Sequence, residues 1–177
     1  MKKITFILLA LISGTAFAQN NDATDKATAE ALAEIVQPLT VDSNNNLIFG
    51  RIIGSDAGGK VTINPIELTR EFTNNNMKDP SDTDFSAAKF TIDAAKGYSY
   101  SVIITGDENL ADEDGNGGPA MPISYTAALD GVSLSLDDNA TGSESNQVLT
   151  IGGELTVNGG QAQSNYKGDI SVTVTYN

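Results

Sequence analysis

The chain has 177 residues, with 23 acidic side chains against 10 basic ones, a formal net charge of −13, and no histidine, cysteine or tryptophan. Without histidine and cysteine there is no Ser-His-Asp or Cys-His nucleophile, no common zinc ligand set, and no side chain matched to proton transfer near neutrality. Without clusters of Lys and Arg to neutralise phosphates, nucleic acid is excluded as a partner.

The first element is an export signal. Lys2 and Lys3 precede an apolar run from Ile4 to Ile12, and Ala16-Phe17-Ala18 stands before the polar Gln19, the three-part pattern of a secretory signal peptide over residues 1–18. The run is too short to span a bilayer, and no later segment is as long and apolar, so the mature chain has no transmembrane segment. Cleavage removes both lysines and takes the net charge from −13 to −15. Such a charge favours solubility outside the cell. The expected location is the periplasm, the cell surface or the extracellular medium.

Residues 19–34 read as an N-terminal extension, followed by one domain over 35–177. Within "ATAEALAEIVQPLTV", Ala27, Ala29, Ala31, Ala33 and Ile35 alternate with Thr28, Glu30, Leu32, Glu34 and Val36. The composition favours a helix, but the period of two and Pro38 favour an extended segment.

From there on the chain is punctuated like an all-β protein. "NLIFGRIIG", "GKVTINPIEL", "AKFTIDAAKGYSYSVIIT", "PISYTAALDGVSLSL" and "QVLTIGGELTVN" are short runs rich in β-branched and aromatic residues, separated by Gly, Asn, Asp and Pro. Lys96-Gly97 and Gly152-Gly153 read as hairpin turns, Asp130-Gly131 as a third hairpin or a corner, and Asn44–Asn46 and Asn74–Asn76 as turns. The expected core is Leu47, Phe49, Val61, Ile63, Phe90, Ile92, Tyr100, Val102, Ile104, Leu149, Ile151, Leu155, Val157, Ile170, Val172 and Val174. Tyr98 and Tyr100 are expected on one face of a strand, whereas Tyr125 and Tyr166, nearer loops, are candidate surface contacts.

The final ten residues, "GDISVTVTYN", alternate most regularly of all. Ile170, Val172, Val174 and Tyr176 share one face and Asp169, Ser171, Thr173 and Thr175 the other. Such a strand needs neighbours on both sides, or it leaves a row of unpaired backbone groups that can template association.

Candidate chemistry is sparse. Asp112, Asp114 and Asn116 before Gly117 imitate the first half of a calcium loop, with oxygens on alternate residues. The closing glutamate is replaced by Ile123, which excludes a helical calcium hand and leaves a looser surface site, with Asp107 or Glu108 as further ligands. Asp79, Asp82, Asp84, Asp130, Asp137 and Asp138 sit beside turn-forming residues, and no two stand out as an acid/base pair. The expectation is that the protein is not an enzyme and needs no cofactor, calcium being the one candidate cation.

Taken together, Pro38-Leu39-Thr40, Phe49-Gly50, Gly59 before Val61-Thr62-Ile63, Phe90, Gly152-Gly153-Glu154-Leu155, and Tyr166-x-Gly168 leading into Val172-Thr173-Val174-Thr175-Tyr176 resemble the domain of unknown function 4402 family of secreted Gram-negative proteins. The resemblance covers roughly residues 35–177. It implies an immunoglobulin-like antiparallel β-sandwich of roughly seven to nine strands, similar in layout to chaperone-usher fimbrial subunits. In those subunits a neighbour's N-terminal extension completes the sandwich by β-strand addition. By that analogy Ala27, Ala29, Ala31, Ala33 and Ile35 line a donated segment, and Ile170, Val172, Val174 and Tyr176 line the accepting groove. The expected partners are other subunits, copies of the same chain and a periplasmic chaperone. The alternative is a monomeric exported module that binds a carbohydrate or cation through its tyrosines or acidic loop.

Overall fold

The computed structural model describes residues 26–74, 76–80 and 84–177. The signal sequence, residues 19–25, Asn75 and Asp82 lie outside the described residues. Two units divide the chain, residues 1–34 and 35–177. In the first, residues 26–34 contain neither helix nor strand. The extended segment expected over 27–41 becomes a strand only from Thr40.

The second unit is all-β, with every strand pair antiparallel. A large sheet runs in the order β1 (Thr40–Asn45), β4 (Ala88–Asp93), β10 (Gln147–Val157), β7 (Met121–Leu129), β6 (Asn109–Asp112), β11 (Tyr166–Lys167). β2 (Gly59–Ile63) joins it on β10 and carries β3 (Arg70–Phe72), while β8 (Val132–Leu134) joins on β7. A small sheet runs in the order β12 (Ile170–Tyr176), β5 (Ser99–Gly106), β9 (Asp137–Thr141). The two sheets pack as a sandwich. Tyr100, Val102 and Ile104 of the small sheet meet Ala88, Ile92, Ala127, Leu149 and Ile151 of the large one in one buried cluster. A second cluster, centred on Val61, Ile63, Met121, Leu155 and Val157, extends the core under the loops around Phe49 and Met77. The twelve strands among the described residues exceed the seven to nine expected because β3, β6, β8 and β11 have only two to four residues each. Runs that short carry almost no periodic signal.

The glycine dipeptide at 152–153 is not a hairpin. β10 runs straight through it for 11 residues, pairing with β4 up to Ile151 and with β2 from Gly153. A Cβ on Gly152 would lie 2.1 Å from the Ile63 carbonyl oxygen, and one on Gly153 would lie 2.4 Å from that of Ser124. These glycines permit backbone contact where β10 changes partner. Lys96-Gly97 is a turn but not a hairpin either, because β4 and β5 lie in different sheets. It carries the chain across the sandwich. Asp130-Gly131 does make a hairpin, β7 to β8, with φ of 49° and 80°, the double positive φ of a type I′ turn.

Two further expectations are corrected. "NLIFGRIIG" forms only the isolated bridges Ile48↔Ser86 and Ile53↔Lys78, since its alternation is broken at Gly50-Arg51. Asn44 and Asn45 lie in β1, which accommodates them with an irregularity between Ser43 and Asn45. The Asn74 turn is present, with Met77 N–H donating to the Asn74 carbonyl at 2.9 Å.

Candidate functional site: the open edge of the small sheet

β12 pairs with β5 in unbroken register from Ile170↔Gly106 to Tyr176↔Tyr100. The alternation in its sequence becomes alternation in burial: Ile170, Val172, Val174 and Tyr176 are half-buried against the core, and Ser171, Thr173 and Thr175 are exposed. Which backbone groups face which way follows from two hydrogen bonds. Ile104 N–H donates to Leu136 O at 2.7 Å on the β9 side, and Asn177 N–H donates to Ser99 O at 3.1 Å. Because direction alternates along a strand, Ser171, Thr173 and Thr175 bond to β5, and the N–H and C=O groups of Ile170, Val172, Val174 and Tyr176 point away from it. Among the described residues no strand pairs with that side of β12.

The side chains next to this edge are incompletely covered too. β1, the edge strand of the large sheet, lies alongside β12. Leu39, Val41, Leu47 and Phe90 on its side, with Ile170, Val172, Val174 and Tyr176 on the other, pack on the core without being buried. An apolar seam therefore runs between the last strand of each sheet.

One end of the seam is fixed by Tyr176. Its hydroxyl accepts the Ala95 N–H at 2.6 Å and donates to the Gln37 carbonyl at 3.1 Å. Gln37 Nε2 in turn donates to Asp93 Oδ2 at 2.6 Å. Tyr98 stands edge-on to the Tyr176 ring with centroids 6.2 Å apart. Tyr98 is thus a rim residue, 36% exposed, while Tyr100 is fully buried. Tyr98 lies just before β5, and both tyrosines neighbour Tyr176, Tyr100 as its register partner and Tyr98 through the ring contact. Burial, then the charge of Asp130, raises the Tyr100 phenol to about 12, and its hydroxyl donates to Gln147 Oε1 at 2.9 Å.

The other expected assembly residues, Ala27, Ala29, Ala31, Ala33 and Ile35, are exposed and belong to no strand.

Asp112, Asp114 and Asn116 do come together, at the end of β6, and each hydrogen-bonds to other protein groups. Asp112 accepts the N–H groups of Asp114 and Gly115 at 3.1 Å and of Gly118 at 3.0 Å, and also the Ser164 hydroxyl. Asp114 accepts Asn165 N–H at 2.8 Å and Nδ2 at 2.9 Å, and Asn116 Nδ2 donates to Gln163 O at 3.1 Å. The carboxyl of Asp112 is lowered chiefly by the Ser164 hydrogen bond and that of Asp114 by the Asn165 backbone. The acids clasp the 113–118 loop to the 163–165 segment, next to the short β6–β11 ladder. Among the described residues no group of three His, Cys, Asp or Glu side chains is placed to hold a metal ion.

Tyr125 and Tyr166 also spend their hydroxyls internally. Tyr125 donates to Asp107 O and Tyr166 to Ala162 O, each at 2.9 Å. Both are half-buried. Arg70, a lone basic residue with no motif around it in the sequence, has its side chain only 3% exposed. It pairs with Asp79, donates to Phe49 O at 2.6 Å, and lies over the rings of Phe72 and Phe85. The guanidinium pins the loop before Asp79 to β3.

The family model described as domain of unknown function DUF4402 matches residues 39–176. The chain belongs to this family. The match begins at Leu39, where the seam begins, and ends at Tyr176, where it is clamped. No curated protein matches the chain. Among the described residues no helix is long and apolar enough to cross a membrane.

Proposed function

We propose that this DUF4402 protein is a non-enzymatic exported structural or adhesion subunit, fimbrial-subunit-like in how it assembles, and that the edge of β12 takes up a β-strand from another subunit. The observation that carries the reading is the bare edge itself. Seven consecutive residues contain no charge, proline or glycine, carry outward-facing backbone groups without a strand partner among the described residues, and back onto an apolar seam that is only partly covered. Proteins ordinarily blunt such an edge, since it pairs with any extended chain. A strand added here supplies the missing ladder, each hydrogen bond contributing about 0.5–1.5 kcal/mol, and its side chains cover the seam. A periplasmic chaperone is the natural guardian of the same edge before assembly.

Sedimentation velocity of the exported protein tests this. The wild type should form oligomers in a concentration-dependent way. Val174→Pro should stay monomeric with an unchanged circular-dichroism spectrum, because the Val174 N–H faces away from β5 and its loss costs the existing ladder nothing. Equal oligomerisation of the two proteins would sink the reading.

A further inference from the structure

We infer that a pocket at the start of β4, on the outer side of the large sheet, binds a single sugar ring carrying a carboxylate, of the hexuronic acid class. The inference is independent of strand addition and gives the chain a ligand of its own.

The pocket has a volume of about 180 Å³ and is lined by Asn45, Leu68, Phe85, Ser86, Ala87 and Lys89. Pockets for drug-sized ligands measure about 300–1,000 Å³, so this one has room for one ring. Its two sides differ in chemistry. Lys89 stands between Ala88 and Phe90, which face the core, so its side chain points to the outer face of the sheet, in one row with its register partners Asn45 and Thr150. Ser86 is fixed by its bridge to Ile48 and donates its hydroxyl to Asn46 O at 2.7 Å, which leaves its oxygen open to a donor. Leu68, Phe85 and Ala87 make the apolar side.

Leu68 shows that this side is built rather than left over. Its φ of 55° is the left-handed conformation in which glycine or asparagine ordinarily stands. Asn64 enforces it: its carbonyl accepts the Leu68 N–H at 3.0 Å, its N–H donates to Thr69 O at 3.0 Å, and its Oδ1 accepts the N–H groups of Ile66 and Glu67 at 2.8 and 3.1 Å. Burial does not offset the strain, since Leu68 is 44% exposed. Phe85 is displayed in the same way. The Arg70 guanidinium lies 4.9 Å from its ring centroid and holds the ring, which is still 38% exposed. Two large apolar side chains are thus held in place at the surface instead of being packed away, which is what an apolar ligand face requires.

The polar side selects the ligand. Lys60, Arg70, Lys96 and Lys167 each pair with an acid, whereas Lys89 has no ion-pair partner among the described residues, although acids outnumber bases by 23 to 10. None of the six lining residues is acidic. An ammonium so placed takes a carboxylate, and the Asn45 amide beside it offers hydroxyls both a donor and an acceptor. The charge of the chain as a whole opposes an anion, so the recognition is local. A pyranose has the matching two-sidedness. Its C–H face lies on Leu68 and on the electron-rich face of the Phe85 ring, and its carboxylate and hydroxyls meet Lys89, Asn45 and Ser86. An aromatic acid would leave the amide and the serine without partners.

Titrations of the exported protein with glucuronate and with galacturonate, followed by amide NMR shifts, test this. At least one of them should perturb residues 45, 68 and 85–89 together, with a dissociation constant of about 1 mM, the order that so few ligand atoms allow. Glucose, galactose and benzoate should bind about tenfold more weakly or worse, the loss expected when a charge-assisted hydrogen bond or the hydroxyl contacts are missing. Lys89→Gln, at a surface position, should erase the preference for the acid over the neutral sugar, and Lys89→Arg should keep it. Leu68→Asn, which suits the positive φ, should leave the melting temperature within about 3 °C of wild type and still weaken binding about fivefold or more. Benzoate binding as tightly as the uronates would overturn the sugar assignment. No local shift with either uronate, or wild-type binding by Lys89→Gln, would overturn the site. A Leu68→Asn variant that melts well below wild type and binds unchanged would make Leu68 a packing residue and overturn the site likewise.

Discussion

The small sheet has two edges, and they are built to opposite specifications. β9 ends the sheet with Asp137, Asp138 and Asn139, of which Asp137 and Asn139 are exposed, and Asp138 turns its carboxylate back to accept the N–H groups of Ser135 and Asn139. Adjacent acids and a carboxylate competing for backbone donors make it a poor template for a further strand. β12 ends the other side with seven uncharged residues in perfect alternation and no such guard. Both edges flank the same central strand, β5, so the difference lies in the edge residues rather than in the fold around them. One edge is protected against association and the other is presented for it.

The comparison presupposes that both edges hang on one core, and Leu149 is the place to break it. Leu149 is fully buried between the sheets. Leu149→Ala should cost about 2–5 kcal/mol in urea unfolding, with signals from both edges lost in one transition. Two separated transitions would mean that the edges belong to independent units. A smaller effect follows from exchanging the guards. Asp137→Val with Asn139→Val should leave the fold intact and create a second association site, raising the self-association constant by about tenfold or more, or ~1.4 kcal/mol. Light scattering indistinguishable from wild type would show that charge is not what protects β9.

The smallest effect concerns the clasp at Asp112 and Asp114, far in sequence from both edges. These carboxyls are held below their usual range by hydrogen bonds made only in the fold. A group with a depressed folded-state pKa stabilises above its unfolded pKa and loses that contribution as pH falls through the folded one. Thermal stability should therefore be flat near neutrality and fall only below about pH 4. In Ser164→Ala the acid-dependent part should shrink, while association through β12 is unchanged. A wild-type loss already complete at pH 6 would contradict the clasp.

How much of this was legible in the chain depends on the element. β12 was fully legible, because one wet and one dry face impose a period of two on every residue. The largest core side chains were legible for the same reason. The buried alanines at 88, 94, 127 and 128 were not, since alanine is at home inside and outside. Gly152-Gly153 misled because two needs select the same residue. Positive φ in a turn and close backbone approach in a sheet both call for the absence of a Cβ, and only the path of β2 and β7 beside β10 tells them apart. The acidic loop poses the same kind of ambiguity. Alternating oxygens suit a cation or a set of N–H donors, and the partners at 163–165 are about fifty residues away in sequence.

The most direct test of the account is amide hydrogen exchange along β12, read residue by residue on the monomer and on the assembly. In the monomer, Thr173 and Thr175, which bond to β5, should exchange slowly, while Val172 and Val174 exchange fast; in the assembly all four should be slow. Protection of Val172 and Val174 already in the monomer, or their continued fast exchange in the assembly, would contradict it.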